Sequence, residues 1–192
     1  MFPTRPEPAA RCRRRRPGGS NQGLIRVWYP FVRVFHWSLV VLFATAWLTG
    51  DDVQWLHEPV GYVIAGLLAA RIVWGFIGTK HSRFSDFVYA PAQVLSYLID
   101  SARFRARRFL GHNPAGGAMV IALIVVIAGT ASTGILMANE VFGKAHSLED
   151  VREVLANMTL VLVALHLAGV VLASIEHREN LAKAMITGWK KR

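Results

Sequence analysis

The residue that most constrains the chemistry of this chain is His166, a single imidazole inside an apolar run. The run extends from Val151 to Ile175, and its 22 residues after Glu153 carry no formal charge. A helix needs about 20 apolar residues to cross a bilayer, so this stretch predicts a membrane span. A metal-capable side chain at that depth is costly and is by default a functional hypothesis. The structural alternative is a histidine that hydrogen-bonds a neighbouring helix, and this stretch alone leaves both open.

Four apolar stretches must position this histidine and two others. The hydropathy pattern predicts an all-α fold, an integral membrane four-helix bundle, with spans at about 31–49, 59–78, 116–138 and 154–175. His36 lies one turn inside the start of the first span, and His57 lies just before the second, at the membrane surface. With 53% hydrophobic residues, the chain is too apolar for an ordinary soluble domain.

Two further segments are predicted outside the spans. The sequence PAQVLSYLIDSARF, between spans two and three, has apolar residues at helical spacing and predicts an amphipathic helix on the membrane surface. Residues 1–24 are rich in Arg, Pro and Gly, which predicts a disordered cytoplasmic tail that can contact anionic membrane lipid. Residues 25–192 then form the four-span domain.

The charge pattern predicts the orientation. The net charge is +10, yet of 22 Lys and Arg residues only Lys144 and Arg152 fall in the two short loops on one side. The positive-inside rule therefore places both termini and the middle connection in the cytoplasm. Since this basicity is explained by topology, no nucleic-acid partner is expected. The single cysteine, Cys12, excludes an internal disulfide and a Cys-rich metal site.

This orientation gives each histidine a depth. His166 lies 13 residues from the outer end of its span, about 20 Å below the outer surface, while His36 is near the cytoplasmic end of the first span. The two can therefore share a depth, and paired imidazoles across a helical bundle can hold a haem iron. His57 is about 20 Å away along the bundle axis and cannot pair with either.

The sequence resembles the bacterial cytochrome b561 family, which includes the b-type cytochrome subunits of nickel–iron hydrogenases. The resemblance covers nearly everything from Val27 to Lys190. Its motifs are RVFHW at 33–37, LHEPVGY at 56–62, ARIVWGFIGTKHSRFSDF at 70–87, GHNPAGG at 111–117, LAN at 155–157, ALH at 164–166 and HREN at 177–180. It implies a four-helix bundle with two stacked b haems, the inner one bound by His36 and His166 and the outer one by His57.

One position departs from the family pattern. The expected partner of His57 lies 14 residues before His166, and here that residue is Arg152. Fourteen residues advance a helix by about 21 Å and return to nearly the same face, so Arg152 points towards the outer haem position. A guanidinium has no lone pair for iron. The outer haem is then absent or weakly bound, held by His57 alone or with a substitute such as His146, or has a propionate paired with Arg152. We expect absence or weakened binding, and hence one haem b.

Two arginines are candidate partners of the inner haem's propionates. Arg71 lies 14 residues after His57, on nearly the same face of the second span and at the inner level. Arg33 lies beside His36, and an arginine can form a bidentate pair with a carboxylate. The alternative is that both simply follow the positive-inside rule. We favour that alternative for Arg33 and the functional interpretation for Arg71, which has apolar neighbours.

The sequence shows no phosphate loop, no paired buried carboxylates and no nucleophilic triad, so its chemistry must come from the cofactor. We expect a multi-pass b-type cytochrome of the bacterial inner membrane, an electron-transfer subunit rather than a stand-alone catalyst. It would pass single electrons between a quinone pool or membrane dehydrogenase and a redox partner such as a periplasmic cytochrome c. The alternative is a degenerate family member, with one haem or none, that anchors or assembles a larger complex; a homodimer is a further option.

Overall fold

Long apolar helices account for most of the chain. The computed structural model describes residues 23–50, 52–79, 82–109, 111–141 and 146–191. Within these ranges lie the helices α1 Pro30–Thr49, α2 Gln54–Ile77, α3 Pro91–Ala102, α4 Pro114–Ala138, α5 His146–Glu176 and α6 Leu181–Thr187. Among the described residues, α1, α2, α4 and α5 are long and apolar enough to cross a membrane. The predicted all-α bundle with four spans is confirmed.

The helix ends follow local sequence signals. A proline occupies the first turn of α1, α3 and α4, where its missing N–H removes no helical hydrogen bond. The side chain of Asn113 accepts a hydrogen bond from the backbone of Gly116 and caps α4. Gly188, with φ of 86°, ends α6 in the left-handed conformation that glycine adopts readily.

Two spans begin earlier than the sequence pattern indicated. Helix α2 starts at Gln54, so His57 lies inside its first turns, and the prediction that His57 precedes the helix was wrong. Helix α5 starts at His146, so Arg152 is helical and does not lie in a loop. The apolar pattern detects only the part of a helix that contacts lipid. The polar first turn of α5 is stabilised instead by Glu149 near the positive end of the helix dipole.

Each membrane-spanning helix packs mainly against one or two others. Helix α4 packs against α5 and α2, α1 packs against α2, and the short α3 packs against α4. The core between α2 and α4 is formed by Val60, Ile64, Leu68 and Ile127. In α1 only Val32 and Thr49 are buried within the chain, so much of this helix is available for contact with lipid.

A two-stranded ribbon joins the two ends of the described chain. Strand β1, Leu24–Arg26, pairs antiparallel with β2, Trp189–Lys191, and Ile25 lies opposite Lys190. No pattern in the sequence predicts this pairing. Leu24, the last residue of the predicted disordered tail, is part of β1. Residues 1–22 lie outside the described ranges, so the tail stays a prediction.

The middle connection is attached to the end of α5. The carboxylate of Glu176 accepts hydrogen bonds from Ser101 Oγ at 3.0 Å and from the backbone N–H of Ala106 at 2.8 Å. Lys190 Nζ donates to the carbonyl of Phe109 at 3.4 Å. The N-terminal strand, the middle connection and the C-terminal segment thus meet at one end of the bundle. That this end is cytoplasmic remains a prediction.

The predicted amphipathic helix between spans two and three is α3. Tyr97 and Ser101 are buried on its inner side, and Tyr97 Oη accepts a hydrogen bond from Asn113 Nδ2 at 2.8 Å. The opposite side exposes Leu95, Leu98 and Ile99. An exposed apolar face of this kind is typical of a helix that lies in a membrane interface.

Candidate functional site

Helices α1 and α5 bring two imidazoles together in the half of the bundle nearer the two chain ends, which the charge pattern predicts to be the cytoplasmic, inner half. The ring centroids of His36 and His166 are 6.4 Å apart, and the ring planes are inclined at 55°. The Nδ1 atom of His36 is buried and has no hydrogen-bond partner among the described residues. The juxtaposition expected from their depths is therefore present, and hydrogen bonding to a neighbouring helix does not account for this Nδ1.

The spacing of the two rings fits one metal ion between them. A metal–imidazole bond of about 2 Å on either side of an ion places the ring centres roughly 6 Å apart. Among the described residues, no group of three or more His, Cys, Asp or Glu side chains could hold an ion by itself. Two imidazoles alone would leave the equatorial positions open. A planar macrocyclic chelate such as haem supplies those positions, so the pair fits a bis-imidazole haem.

Arg71 is a buried cation in the last third of α2. Arg71 is only 2% exposed, and its Nη1 atom has no hydrogen-bond partner among the described residues. Its Cζ atom lies 5.5 Å from the ring centroid of Phe84 and 5.9 Å from that of Phe87. These aromatic faces compensate part of the charge. A buried guanidinium with unused donors fits a carboxylate partner, such as a haem propionate.

Arg33 forms a hydrogen bond between two helices. Its Nη2 donates a hydrogen bond to the carbonyl of Ile186, and this bond connects the start of α1 to the end of α6. Its Nε atom is buried and has no hydrogen-bond partner among the described residues. A role for Arg33 towards a propionate stays a prediction.

At the outer end, His57 already uses both ring nitrogens. Its Nδ1 donates to the carbonyl of Ala46 at 2.9 Å, and its Nε2 accepts a hydrogen bond from Arg152 Nη2 at 2.7 Å. An arginine can only donate, so the imidazole is the tautomer with its proton on Nδ1. The guanidinium occupies the direction in which the free lone pair of His57 would otherwise reach an iron.

These residues do not fit an outer bis-imidazole haem. Arg152 supplies no lone pair, and it covers the lone pair of His57. His146, the substitute ligand considered from sequence, begins α5 with a side chain that is 95% exposed and lies 3.8 Å from Glu149. The direct contact between Arg152 and His57 was not among the three outcomes that the sequence suggested, because helical-face arithmetic places residues without showing which atoms meet.

A cavity of about 330 Å³ lies beside this pair. It is enclosed by the outer halves of α1, α2, α4 and α5, and its lining includes His57 and Arg152 together with Tyr62 and Thr130. Tyr62 and Thr130 carried no signal in the sequence as site residues, since each is a single polar side chain within an apolar span.

Comparison with known proteins identifies the family. The profile described as prokaryotic cytochrome b561 matches residues 27–188. The chain belongs to the prokaryotic cytochrome b561 family. Among curated relatives of this cytochrome is the probable Ni/Fe-hydrogenase B-type cytochrome subunit of Bradyrhizobium diazoefficiens, which is 26% identical over an alignment that covers 82% of each chain. The protein of the same description from Azotobacter vinelandii is 24% identical over 88% of this chain and 90% of its own. No solved structure gives a significant match.

Family membership confirms the broad prediction from sequence. The chain is a transmembrane b-type cytochrome of electron transport, with haem b as its cofactor.

Proposed function

We propose that this cytochrome carries one haem b, held by His36 and His166, and passes single electrons within the bacterial inner membrane. The observation that carries the proposal is the 6.4 Å separation of these two rings in helices that otherwise pack with different neighbours. When bound, haem iron supplies a one-electron ferrous–ferric couple. His36 and His166 would hold and orient it, and two histidine ligands would favour electron transfer over oxygen chemistry.

The rest of the inner site is assigned an electrostatic role in this proposal. The buried Arg71 places a positive charge in low-dielectric surroundings, where it would stabilise a propionate and an added electron. The apolar side chains of the spans exclude water around the ligands. The protein thus supplies binding, orientation and potential, while the cofactor supplies the redox chemistry.

The electron donor and acceptor are proposed from chemistry and from the relatives. A haem inside a membrane bundle is placed to exchange electrons with a membrane quinone pool or with a membrane-attached dehydrogenase. The relatives named as hydrogenase B-type cytochrome subunits support a dehydrogenase partner, and so a place in a larger complex. A periplasmic cytochrome c is a second partner of suitable chemistry.

One observation favours a second candidate function. The hydrogen bond from Arg152 occupies the nitrogen of His57 that would bind an outer iron. A pair of haems across the membrane would then lose its outer member. A family member that retains one haem or none could serve chiefly as the membrane anchor or assembly subunit of a complex.

Haem stoichiometry separates these candidates. The full chain is purified in detergent, and its haem-to-protein ratio and reduced-minus-oxidised spectrum are measured. One haem per chain with a low-spin b-type spectrum, reducible by a short-chain quinol or by a hydrogenase, supports the proposed carrier. No haem supports the anchor, and two haems would contradict the assignment of the outer site.

A further inference from the structure

The cavity at the outer end has the properties of a binding site for a small planar ligand. We propose that it binds the head group of a membrane quinone, with a quinone carbonyl oxygen accepting hydrogen bonds from Arg152. The inference names a location for the quinone partner and so builds on the proposed function. It concerns binding at residues that the haem assignment does not use.

The size and lining of the cavity are suited to such a ligand. Its volume of about 330 Å³ lies within the range for ligand pockets, roughly 300–1,000 Å³, so it has room for a quinone ring. Most of its wall is apolar, with aromatic side chains from Phe43 and Trp47. Trp47 is half-exposed, so it lies at an edge of the cavity that opens towards the surroundings.

Arg152 and Tyr62 bring hydrogen-bond donors to the cavity wall. The lining also includes Gln54 and the carboxylate of Glu58, while the hydroxyl groups of Thr130 and Thr159 donate to carbonyls of their own helices. A guanidinium has five N–H donors, and among the described contacts Arg152 directs one of them at His57. Tyr62 Oη accepts a hydrogen bond from Asn139 Nδ2 at 2.8 Å, which leaves its own O–H to donate. A quinone is a flat apolar ring whose polar atoms are acceptor carbonyls, and it therefore complements an apolar wall with converging donors.

The depth of the cavity argues for a ring rather than a lipid phosphate. Arg152 lies near the outer end of α5, and the cavity continues along that helix to Thr159, seven residues or about 10 Å further in. A phosphate group held by Arg152 would leave the deeper, apolar part of the cavity empty. A ring that fills it lies between the outer surface and the level of His166, which is another seven residues along α5.

Two glycines of α2 offer a matched pair of variants. A Cβ atom at Gly61 or at Gly66 would meet no atom within 4 Å, so the fold accepts a side chain at either position. Gly61 lines the cavity, whereas Gly66 is exposed and lies outside its lining. The variant Gly61→Leu therefore fills the proposed site, and Gly66→Leu makes the same change in the same helix away from it.

The test is equilibrium binding of decylubiquinone and of a short-chain menaquinone analogue to the full chain in phosphatidylcholine nanodiscs. Quenching of tryptophan fluorescence reports binding, and an azidoquinone crosslink mapped by mass spectrometry locates it. We expect saturable quenching, a crosslink near Trp47 or Tyr62, at least a tenfold higher Kd for Arg152→Gln, and loss of saturable binding in Gly61→Leu. Gly66→Leu should bind within twofold of the unaltered chain.

The outcomes distinguish this inference from the proposed function because haem content is measured on the same samples. Saturable binding unchanged by Gly61→Leu, or the absence of binding by a chain with an intact haem spectrum, overturns the quinone site alone. Two haems per chain overturn it as well, since the cavity then holds the second macrocycle. A chain without haem that binds quinone in a Gly61-sensitive manner keeps the site and removes the carrier role.

Discussion

The guanidinium of Arg152 on α5 and the imidazole of His57 on α2 are hydrogen-bonded, with 2.7 Å between Nη2 and Nε2. Because the donor is charged, such a bond contributes about 1.5–3 kcal/mol. The same contact connects two spans and covers the nitrogen that the family resemblance assigns to an outer iron. The outer end of the bundle therefore differs in chemistry from the inner end, where two imidazoles face each other.

Replacing this arginine with a second imidazole should restore an outer haem site. In Arg152→His the covering donor is removed, and a nitrogen ligand takes a position on the same helix face as His166, about 21 Å away. We expect the haem-to-protein ratio to rise from one towards two, measured by the pyridine haemochrome assay. The double variant Arg152→His with His57→Ala should return to one haem, and a ratio that stays at one in the single variant would show that the pocket no longer admits the macrocycle.

Removing either inner imidazole should abolish haem binding. The variants His36→Ala and His166→Ala each leave the iron with one protein ligand, so we expect loss of the b-type difference spectrum and at least a tenfold loss of bound haem. His146→Ala is the matched control, because that side chain is 95% exposed. His57→Ala should also keep its haem; a loss there equal to that in His36→Ala would count against the inner assignment.

Neutralising Arg71 should lower the reduction potential of the haem. A unit charge roughly 10 Å from an iron, at an effective dielectric constant of about 20, contributes about 1.7 kcal/mol. Since the positive charge favours the reduced state, Arg71→Gln should shift the midpoint potential downwards by tens of millivolts in a redox titration. Arg33→Gln is the comparison, and a shift there as large as for Arg71 would show that both guanidinium groups act on the iron.

The stability of the bundle should depend on Gly117 far more than on Gly66. A Cβ atom at Gly117 would collide with the backbone carbonyl oxygen of Phe87, which cannot move as a flexible side chain could. Overpacking of this kind costs about 1–3 kcal/mol, so Gly117→Ala should lower the Tm in detergent. Gly66→Ala meets open space and removes a glycine from a helix interior, which stabilises by about 1 kcal/mol. Equal Tm values for the two variants would contradict the close contact.

Much of the bundle was predictable because membrane spans are encoded locally. A bilayer imposes about 20 apolar residues on each helix, so length and composition located all four spans to within a few residues at most ends. Helical arithmetic likewise placed His36 and His166 at one depth, since rise per residue is constant. The errors came where polar residues extend a helix beyond lipid, at Gln54 and at His146.

Contacts between distant segments could not be read from the sequence. The pairing of Ile25 with Lys190, the anchoring of the middle connection by Glu176 and the burial of Arg71 against Phe84 depend on how separate elements meet. The sequence by itself determined the spans and placed His36 and His166 at one depth, because periodicity and spacing are properties of single helices, and its motifs indicated the family. Only the tertiary structure decided that Arg152 covers His57, because a hydrogen bond between two spans depends on their mutual rotation and separation.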